Sequence, residues 1–404
     1  MMDPMIEVGD ARVFLGDCRD VLKTLPDNSV DSIVTDPPYE LGFMGKKWDN
    51  SGIAYDVTVW EECLRVLKPG GHVLAFGGSR TWHRLAVAVE DAGFEIRDSI
   101  AWLSNKTFPK SLDVSKAIDK NNGEVGRKLK FTSWMRTTGL TGREIDRITG
   151  TNMGGHYLTA KSQPAIPTPA LWAVLRPHCG QIPAWVDELV ERVEAEREVT
   201  GQRSVPTGHS FASEKYGKKA GTHKVNETQA HTEKAKKWEG WGTALKPCFE
   251  PVVLGRKPLV GTVAENVIAW GVGGINIEAS RVSDERRWPA NACVDETTAE
   301  QLADNSRFFF VGKTTKADRS EGVEGENFHP TVKPTQLMRY LIKLVTPAGG
   351  TVLDPFTGSG STGKAALLDG YCFVGAELTA EYLPIIESRL RWATEKVEND
   401  DTLF

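Results

Sequence analysis

The chain has 404 residues, enough for a large core and, we expect, two domains. Its composition, with 40% hydrophobic and 25% charged residues, is ordinary for a globular protein. Because the net charge is −5, a nucleic-acid partner would need a local basic surface. The six scattered cysteines form no Cys-x-x-Cys pair, which excludes a zinc knuckle and a disulfide framework and favours a reducing, cytoplasmic setting. We expect neither a signal peptide nor a membrane span.

Strands and helices alternate over the first 118 residues. The apolar runs predict strands at 11–15, 30–35, 72–76 and 95–103, and helices at 18–25, 55–67 and 81–92. The second helix is expected to stop at Lys68-Pro69-Gly70-Gly71, a strong terminator. This order predicts a parallel sheet covered by helices.

The rhythm is lost between residues 119 and 327 and then returns. Short helices are predicted at 141–149, 151–161 and 169–175, and a longer charged helix at 182–199. Residues 200–242 form a flexible polar stretch with eight Lys/Arg against four Glu up to residue 240, typical of either a solvated linker or a phosphate-facing loop. From residue 328 we predict helices at 335–345, 361–369 and 381–392, and strands at 351–353 and 371–376. An α/β domain of residues 1–118 and 328–404 is thus interrupted by an insertion, 119–327.

The tetrapeptide Asp36-Pro37-Pro38-Tyr39 follows the predicted strand 30–35. Its carboxylate can accept a hydrogen bond from an exocyclic amino group, and its prolines fix the backbone so that a carbonyl is aimed. Its tyrosine ring can stack on a planar base. The same four residues also form a good turn, so the tetrapeptide alone leaves a plain strand-ending turn as the alternative.

A second group of residues follows the predicted strand 351–353. Glycines in the turn before the helix at 361 let a ligand approach the backbone at a helix N-terminus. The run Gly358–Lys364 matches a phosphate-binding loop except at Ala365, where a hydroxyl should hold magnesium, so an NTPase is disfavoured. A methyl-donor nucleoside fits better, because Asp354 can pair with an ammonium group and Glu377 can accept from ribose hydroxyls. The alternative is a turn that only packs a helix tightly.

Three acidic residues are predicted to converge in space. Asp36, Asp354 and Glu377 each follow the carboxyl end of a predicted parallel strand. Ligands of open α/β sheets bind outside those ends, where the strand order reverses. The two groups of residues should therefore share one crevice.

Together these residues resemble the amino-group DNA methyltransferases that use S-adenosylmethionine, in the permuted β class with its phage and prophage members. In that class the Asp-Pro-Pro-Tyr half comes first, a target-recognition region follows, and the cofactor half comes last. The matching blocks stand in that order: Gly16-Asp17-Cys18 through Asp36-Pro37-Pro38-Tyr39, then His329-Pro330-Thr331-Val332-Lys333-Pro334, then Asp354 to Gly360. The resemblance covers residues 1–118 and 328–404. It implies a doubly wound, mostly parallel seven-stranded sheet with a mainly helical inserted recognition region.

The resemblance also implies roles for individual residues. Asp36 and the Pro37 carbonyl would hold the target amino group, with Pro38 stiffening the turn, and Tyr39 would stack on the flipped base. Asp17 would contact the cofactor adenine. The other residues implied to bind S-adenosylmethionine at its ribose, in its pocket or near its methionine end are Glu377, Asp36, Asp354, Phe356, Gly358, Ser359, Gly360, His329, Thr331 and Lys333. No metal is required.

The implied activity is site-specific transfer of a methyl group to the N6 amino group of an adenine flipped out of double-stranded DNA. Within the family, Asp before Pro-Pro-Tyr favours adenine, and N4 methylation of cytosine is the alternative. A protein or RNA methyltransferase and a P-loop NTPase are more distant alternatives. Such an enzyme would work in the cytoplasm of a bacterial or phage-infected cell, without a membrane partner. The sequence leaves open a homodimer and a cognate restriction endonuclease.

The insertion is the predicted reader of DNA sequence. Residues 142–152 resemble the first helix and turn of a helix-turn-helix, with 151–161 as the reading helix, and a plain helical scaffold is the alternative. The predicted contacts are Arg143 and Arg147 to phosphates, and Asn152, His156 and Lys161 to bases or backbone. Residues 246–251 resemble the segment that rejoins the catalytic domain in related phage-type enzymes.

Overall fold

The computed structural model describes residues 3–41, 47–104, 111–121, 124–159, 163–194, 199–206, 222–228, 233–312, 316–323 and 327–401. The chain divides into two compact units. The first combines Met1–Thr107 with Pro247–Phe404, and the second is Phe108–Lys246. None of the helices in the described ranges is both long and apolar enough to span a membrane.

The first unit is built on one sheet of ten strands. Their bounds are β1 Ile6–Val8, β2 Ala11–Leu15, β3 Val30–Thr35, β4 Leu67–Phe76, β5 Glu95–Leu103, β8 Phe249–Arg256, β9 Ala292–Asp295, β10 Phe310–Gly312, β11 Thr351–Asp354 and β12 Cys372–Glu377. The spatial order is β1-β2-β12-β11-β3-β4-β8-β5-β9-β10. Neighbours are antiparallel only at β1/β2, β4/β8 and β8/β5, so the sheet is mostly parallel, as predicted.

Sixteen α-helices are described along the chain. Their bounds are α1 Cys18–Thr24, α2 Val57–Val66, α3 Trp82–Asp91, α4 Val114–Asn121, α5 Glu124–Thr137, α6 Gly142–Thr149, α7 Gly154–Leu158, α8 Pro169–Leu175, α9 Ala184–Glu194, α10 Glu233–Lys236, α11 Val263–Trp270, α12 Glu296–Leu302, α13 Lys316–Ser320, α14 Thr335–Val345, α15 Ser361–Leu368 and α16 Leu383–Asp401. Helices α4–α10 belong to the second unit and the others to the first.

The sheet lies between two layers of helices. Successive residues of a strand point to opposite faces, so Ile33 packs in the core that α1, α2 and α3 cover, whereas Val34 packs in the core that α14, α15 and α16 cover. Leu353 and Val352 of the neighbouring strand divide in the same way. Both faces are buried, which explains the continuous apolar runs of these strands.

The strand order reverses between β3 and β11. From β11 the chain passes through α15 to β12 on one side, and from β3 it passes through α2 to β4 on the other. Helices α15 and α2 cover opposite faces of the sheet. A crevice at the carboxyl ends of β3 and β11 is the expected ligand position in a doubly wound fold.

Two parts of the predicted architecture need correction. The sheet has ten strands rather than seven. The domain bounds also differ, because residues 247–327 belong to the first unit and residues 108–118 to the second. Strand β8 runs antiparallel between β4 and β5, with Val253 opposite Ala75 on one side and Ser99 on the other. Its apolar run, residues 252–254, is short and lies between Pro251 and Gly255, so it is a weak local signal for a strand. Pairing on both sides, which is invisible in a linear pattern, stabilises it as a strand.

The second unit packs helices around a separate core that includes Phe131, Ile145 and Trp172. The predicted reading helix at 151–161 is wrong in length, because α7 covers only five residues. At its start Gly154 approaches α6 so closely that a Cβ there would lie 2.2 Å from the Gly142 carbonyl oxygen. Lys161 lies outside the described residues.

The polar stretch 200–242 is not only a linker. It contains an antiparallel pair, β6 Val199–Pro206 with β7 Thr222–Thr228, followed by α10. Residues 207–221 lie outside the described ranges.

Candidate active site

The site lies where four neighbouring strands end. Asp17 follows β2, Glu377 ends β12, Asp354 ends β11 and Asp36 follows β3. The parallel register sets Glu377 beside Leu15, Asp354 beside Gly375 and Leu353 beside Ile33. The structure thus brings the three acidic residues Asp36, Asp354 and Glu377 to one edge of the sheet.

Asp354 is satisfied by its own surroundings. Its Oδ1 accepts from Thr35 Oγ1 at 2.6 Å and from Phe356 N at 3.0 Å, and its Oδ2 accepts from Thr362 Oγ1 at 2.6 Å. Burial raises the pKa of the carboxyl group to about 6, although these hydrogen bonds oppose the shift. Asp354 therefore ties β3, the glycine turn and α15 together.

The glycine turn connects β11 to α15 through two left-handed residues. Gly358 has φ +55° and Gly360 has φ +74°, conformations that side chains rarely adopt. The N–H of Gly358 donates to Glu377 Oε2 at 2.8 Å, and Thr379 N donates to Oε1 at 2.8 Å. Glu377 is buried, which raises its pKa. Each of its oxygens retains acceptor capacity beyond one backbone N–H.

The rest of the turn is anchored from α16. Arg389 is fully buried and its Nη1 donates to the Ser359 carbonyl oxygen at 2.8 Å and to the Ser359 hydroxyl at 3.1 Å. Burial lowers the pKa of the guanidinium to about 10. Phe356 packs, partly buried, against the core beneath α1–α3. Arg389 was not predicted, because nothing in its local sequence connects it to a turn 30 residues earlier.

Lys364 removes the phosphate-loop alternative. Its side chain is fully buried, with Nζ 2.8 Å from Glu321 Oε2 and 3.3 Å from Asp318 Oδ1. It also lies 4.5 Å from the centre of the Trp392 ring. An ammonium group held in this way cannot reach a phosphate in the turn.

Asp17 is engaged at the start of α1. Its carboxylate caps the helix by accepting from Arg19 N at 3.0 Å, and it also accepts from Arg19 Nη2 at 2.6 Å. These bonds lower its pKa, so it is ionised. The adjacent Gly16 N donates to the Glu377 carbonyl oxygen at 2.9 Å, which sets Asp17 next to the end of β12.

His329 lies against the glycine turn. A Cβ on Gly358 would be 3.2 Å from His329 Nε2, and the ring stands edge-on to Tyr382 at 4.4 Å. Its Nδ1 lies 3.0 Å from the Thr331 carbonyl oxygen and 3.3 Å from the Thr331 backbone nitrogen, and the ring tautomer sets which of the two it bonds. Burial lowers the histidine pKa to about 4, so the imidazole is neutral at physiological pH.

Tyr39 is held at both ends. Its carbonyl oxygen accepts from Thr81 Oγ1 at 2.9 Å and from Tyr55 OH at 3.2 Å. Its hydroxyl donates to Glu250 Oε2 at 2.8 Å and accepts from Lys333 Nζ at 2.9 Å. The preceding Pro37 and Pro38 are buried and partly buried, respectively.

Lys333 lies beside Asp36 and Tyr39 of the tetrapeptide. Besides Tyr39, its Nζ contacts Glu250 Oε2 at 2.9 Å and Asp36 Oδ1 at 3.0 Å. Burial disfavours the ammonium form, but the two carboxylates outweigh it and raise the lysine pKa. Burial also disfavours the charged form of Glu250 and by itself would raise its pKa. Lys333 and Tyr39 oppose this effect and bring the Glu250 pKa below its ordinary value. That Lys333 flanks the cofactor, as the resemblance implied, stays a prediction, and the structure adds its contacts with Asp36 and Tyr39.

Asp36 lies against Lys333 in the crevice. Its side chain is 20% exposed, and its Oδ1 is 3.0 Å from Lys333 Nζ. Burial raises the carboxyl pKa and Lys333 opposes that shift. Because the side chain stays partly exposed and a carboxylate accepts at both oxygens, it suits a ligand that brings an N–H donor.

Glu250, at the start of β8, was not predicted as a site residue. It lies in the segment 246–251 that resembled a rejoining segment, and the second unit does end at Lys246. An acidic residue directly before Pro251 and an apolar run was the available signal, but its partners come from distant segments.

The predicted DNA contacts lie in the second unit. Arg143 and Arg147 are exposed on α6, and Asn152 is exposed in the following turn. His156 Nδ1 is 3.0 Å from the Gln163 carbonyl oxygen, so one of its ring nitrogens has a partner.

The fold and the site define an α/β protein with an acceptor-lined crevice at the carboxyl edge of a doubly wound sheet. The chain belongs to the DNA methylase family, whose model matches residues 30–388. It is 32% identical over 157 residues to the Type II methyltransferase M.HindIII of Haemophilus influenzae, covering 38% of this chain and 44% of that protein. It is also 32% identical over 116 residues to the Type II methyltransferase M.HinfI of Haemophilus influenzae, covering 24% and 32%. These matches span less than half of each relative's length.

Solved structures show a weaker likeness. The PvuII DNA methyltransferase, described as cytosine-N4-specific, has a TM-score of 0.46 and 12% identity, with 98% of this chain and 93% of that chain covered. A DNA modification methylase of Thermus thermophilus, complexed with S-adenosyl-L-methionine, has a TM-score of 0.42 and 16% identity, with 95% and 94% covered. At these values the structures add nothing to the family assignment, which rests on the sequence.

Proposed function

We propose that this protein is a site-specific DNA methyltransferase that uses S-adenosylmethionine to methylate the N6 amino group of an adenine flipped out of double-stranded DNA. The observation that carries the proposal is the Asp36 carboxylate, which stays partly exposed in the crevice while its Oδ1 lies 3.0 Å from Lys333 Nζ. Membership of the DNA methylase family supports it. Tyr39 beside this oxygen is fixed at both ends and offers a ring to a flipped base.

The crevice residues fit the cofactor. Glu377 has acceptor capacity for two ribose hydroxyls, and Gly358 and Gly360 leave the backbone of the turn accessible. Asp17 follows the neighbouring strand at the same edge, where it would meet the adenine ring. When bound, S-adenosylmethionine supplies an electrophilic methyl group.

Asp354 has a structural role in the pocket. Its oxygens take three internal donors, so it shapes the pocket by holding β3, the glycine turn and α15 together, besides any pairing with the cofactor ammonium. His329, which is neutral, and Ser359, which Arg389 holds, complete the wall beside the glycine turn.

The chain's own residues account for activation of the amine. The lone pair of an exocyclic amino group is delocalised into the base, which makes the nitrogen a poor nucleophile. Hydrogen bonds from its two N–H groups to Asp36 and to the Pro37 carbonyl favour a tetrahedral nitrogen with a localised lone pair. Positioning and a preorganised charge supply most of the rate enhancement. The amino group is out of reach in a stacked duplex, so the nucleotide has to be flipped.

Adenine is proposed over cytosine because Asp36, rather than Ser, precedes Pro37-Pro38-Tyr39. An N4-cytosine methyltransferase of the same family is the second candidate. Methylation-aware sequencing of DNA from a methylation-free host that expresses the chain identifies the base and its site together. Modified cytosine would overturn the choice of adenine, and the absence of any modified site would contradict the proposed activity.

The second unit is the proposed reader of double-stranded DNA. Its exposed positive side chains include Arg143 and Arg147, which share one face of α6 at i, i+4 spacing. Such charges suit phosphate contacts that position a protein on DNA. We infer that the enzyme acts on DNA in the cytoplasm of a bacterial or phage-infected cell.

The decisive variant is Asp36→Ala, assayed by transfer of a radiolabelled methyl group from S-adenosylmethionine to duplex DNA. We expect loss of more than about 100-fold in rate, since a charged acceptor at the reacting nitrogen is removed. Circular dichroism should show an intact fold. Asp91→Ala, at an exposed carboxylate that ends α3, serves as the control and should retain full activity. Wild-type transfer by Asp36→Ala, or wild-type labelling of RNA or protein instead of DNA, would refute the proposal.

A further inference from the structure

We infer that Glu250 and Lys333 are positioning residues of the methyl-transfer centre, and that together they hold the Asp36 carboxylate and the Tyr39 ring in their working arrangement. The inference rests on the proposed function and deepens it. It adds residues from β8 and from the segment before α14 to a centre that the tetrapeptide alone was expected to form.

The ammonium group of Lys333 is used up inside the cluster. It has three N–H groups and no acceptor. Two of them donate to Tyr39 OH and Glu250 Oε2, both at 2.9 Å, and the third partner within reach is Asp36 Oδ1 at 3.0 Å. No donor is left for a base or a cofactor, so Lys333 acts through its neighbours.

The aromatic platform depends on the same pair. The Tyr39 hydroxyl donates to Glu250 and accepts from Lys333, which fixes the far end of the ring. Thr81 and Tyr55 fix its backbone end. A flipped base would therefore meet a ring whose position is already set, which lowers the entropy cost of holding the base in place.

Lys333 and Glu250 have opposite effects on the ionisation of Asp36. Burial favours the neutral carboxyl, Lys333 favours the carboxylate, and the negative charge of Glu250 favours the neutral form again. Among the described residues, the other titratable groups beside Asp36 are Tyr39, which also favours the carboxylate, and Asp354, which is bound by three internal donors. Only the carboxylate can accept an N–H at both oxygens. Removing either member of the pair should consequently move the titration of Asp36, with opposite sign.

The test compares the pH profiles of single-turnover methyl transfer to duplex DNA for wild type, Lys333→Met and Glu250→Gln. The acid limb of such a profile is the fall in rate at low pH, which reports protonation of Asp36. Lys333→Met should move it to higher pH by about one to three units, the usual effect of losing a neighbouring opposite charge. Its rate at neutral pH should fall at least about tenfold and recover in part at higher pH. Glu250→Gln keeps an oxygen acceptor for Tyr39 and Lys333 but removes a negative charge, so its acid limb should move to lower pH.

Two ion pairs elsewhere in the same unit supply matched controls. Lys68→Met breaks a pair with Asp31 (2.6 Å) at the amino ends of β3 and β4, and Glu95→Gln breaks a pair with Arg256 (2.6 Å) at the other end of β8. Both variants lose a comparable contact away from the crevice. Their acid limbs should coincide with that of wild type.

Opposite shifts in the two variants support the inference. If the acid limbs of both variants match that of wild type, or shift in the same direction, the inference is wrong. The proposed function still holds in that case, provided that the wild-type protein transfers methyl groups to DNA. A wild-type protein without methyl transfer refutes the function and the inference with it. If circular dichroism shows that Lys333→Met is unfolded, the test rests on Glu250→Gln, which preserves the hydrogen-bond acceptor. A shift of its acid limb to lower pH then supports the inference, and no shift contradicts it.

Discussion

The two compact units use their polar residues in opposite ways. In the first unit, Asp354 and Glu377 are buried at strand ends and bonded to named donors, and Asp36 beside them keeps its Oδ1 buried. In the second unit, Arg143 and Arg147 stand exposed on a short helix above a separate apolar core. A reaction centre needs groups whose positions are set in advance, whereas phosphate contacts need charge that can reach solvent. Substitutions of these carboxylates should therefore affect folding or chemistry strongly, whereas substitutions of Arg143 and Arg147 should affect only binding.

The largest effect is expected for Asp354→Ala. The change leaves three donors, from Thr35, Phe356 and Thr362, without their acceptor in a buried place. The free energy of unfolding should fall by about 3 kcal/mol or more. Urea denaturation followed by circular dichroism measures it.

Asp354→Asn sharpens that prediction. The amide keeps one oxygen acceptor, so its loss of unfolding free energy should lie between those of wild type and Asp354→Ala. An unfolding free energy of Asp354→Ala equal to that of wild type would show that the buried hydrogen bonds of the first unit do not organise its site.

A smaller effect, on ligand binding rather than folding, is expected for Glu377→Gln. The amide retains one oxygen for Gly358 N or Thr379 N but loses the charge and one acceptor that would serve ribose hydroxyls. The dissociation constant for S-adenosylmethionine should rise about 10- to 100-fold, as expected for one or two hydrogen bonds to a charged group. Isothermal titration calorimetry measures it.

The control for that measurement is Glu381→Gln, at an exposed residue shortly after β12. Its cofactor affinity should match wild type. Unchanged affinity in Glu377→Gln would remove Glu377 from the cofactor pocket and leave it as a brace for the glycine turn.

The smallest effect on the protein itself is expected for the double variant Arg143→Gln, Arg147→Gln. Both side chains are exposed, so the unfolding free energy should change by less than about 0.5 kcal/mol. Binding to duplex DNA should weaken, and the slope of log affinity against log salt should decrease by about two because two phosphate contacts are lost. Fluorescence anisotropy at several salt concentrations measures the slope.

Arg391→Gln in α16 removes an exposed arginine from the first unit and is the matched control. Its salt slope should equal that of wild type. An unchanged slope in the double variant would favour a plain scaffold for α6 and would erase the functional contrast between the two units.

Local signals predicted much of the first unit. The strand at 30–35 and the helix at 335–345 were placed with their observed bounds, and the helix before Lys68 ends where the Pro-Gly terminator predicted. Such elements depend on an unbroken apolar run or on helix periodicity next to a Pro or Gly signal, all of which are readable along the chain. In the second unit, Thr141 caps α6 and Gly150 ends it, again from local chemistry.

Partners from distant segments were beyond that reach. The apolar run of strand β8 is short and lies between Pro251 and Gly255. The segment forms a strand because β4 and β5 pair with its two edges. Glu250 and Arg389 acquire their roles only where folding brings them to Tyr39 and Ser359. The same is true of Lys333, whose ammonium contacts Asp36 and Tyr39.

The sequence by itself determined the alternation of strands and helices, the three motif blocks and the edge of the sheet where their acidic residues end. These properties follow from local periodicity and from the rule that parallel strands share one carboxyl edge. Only the tertiary structure decided which carboxylate is enclosed by internal donors and which stays partly exposed beside a lysine. That distinction between Asp354 and Asp36 depends on donors contributed by other strands and helices, because hydrogen bonding is set by proximity in space rather than along the chain.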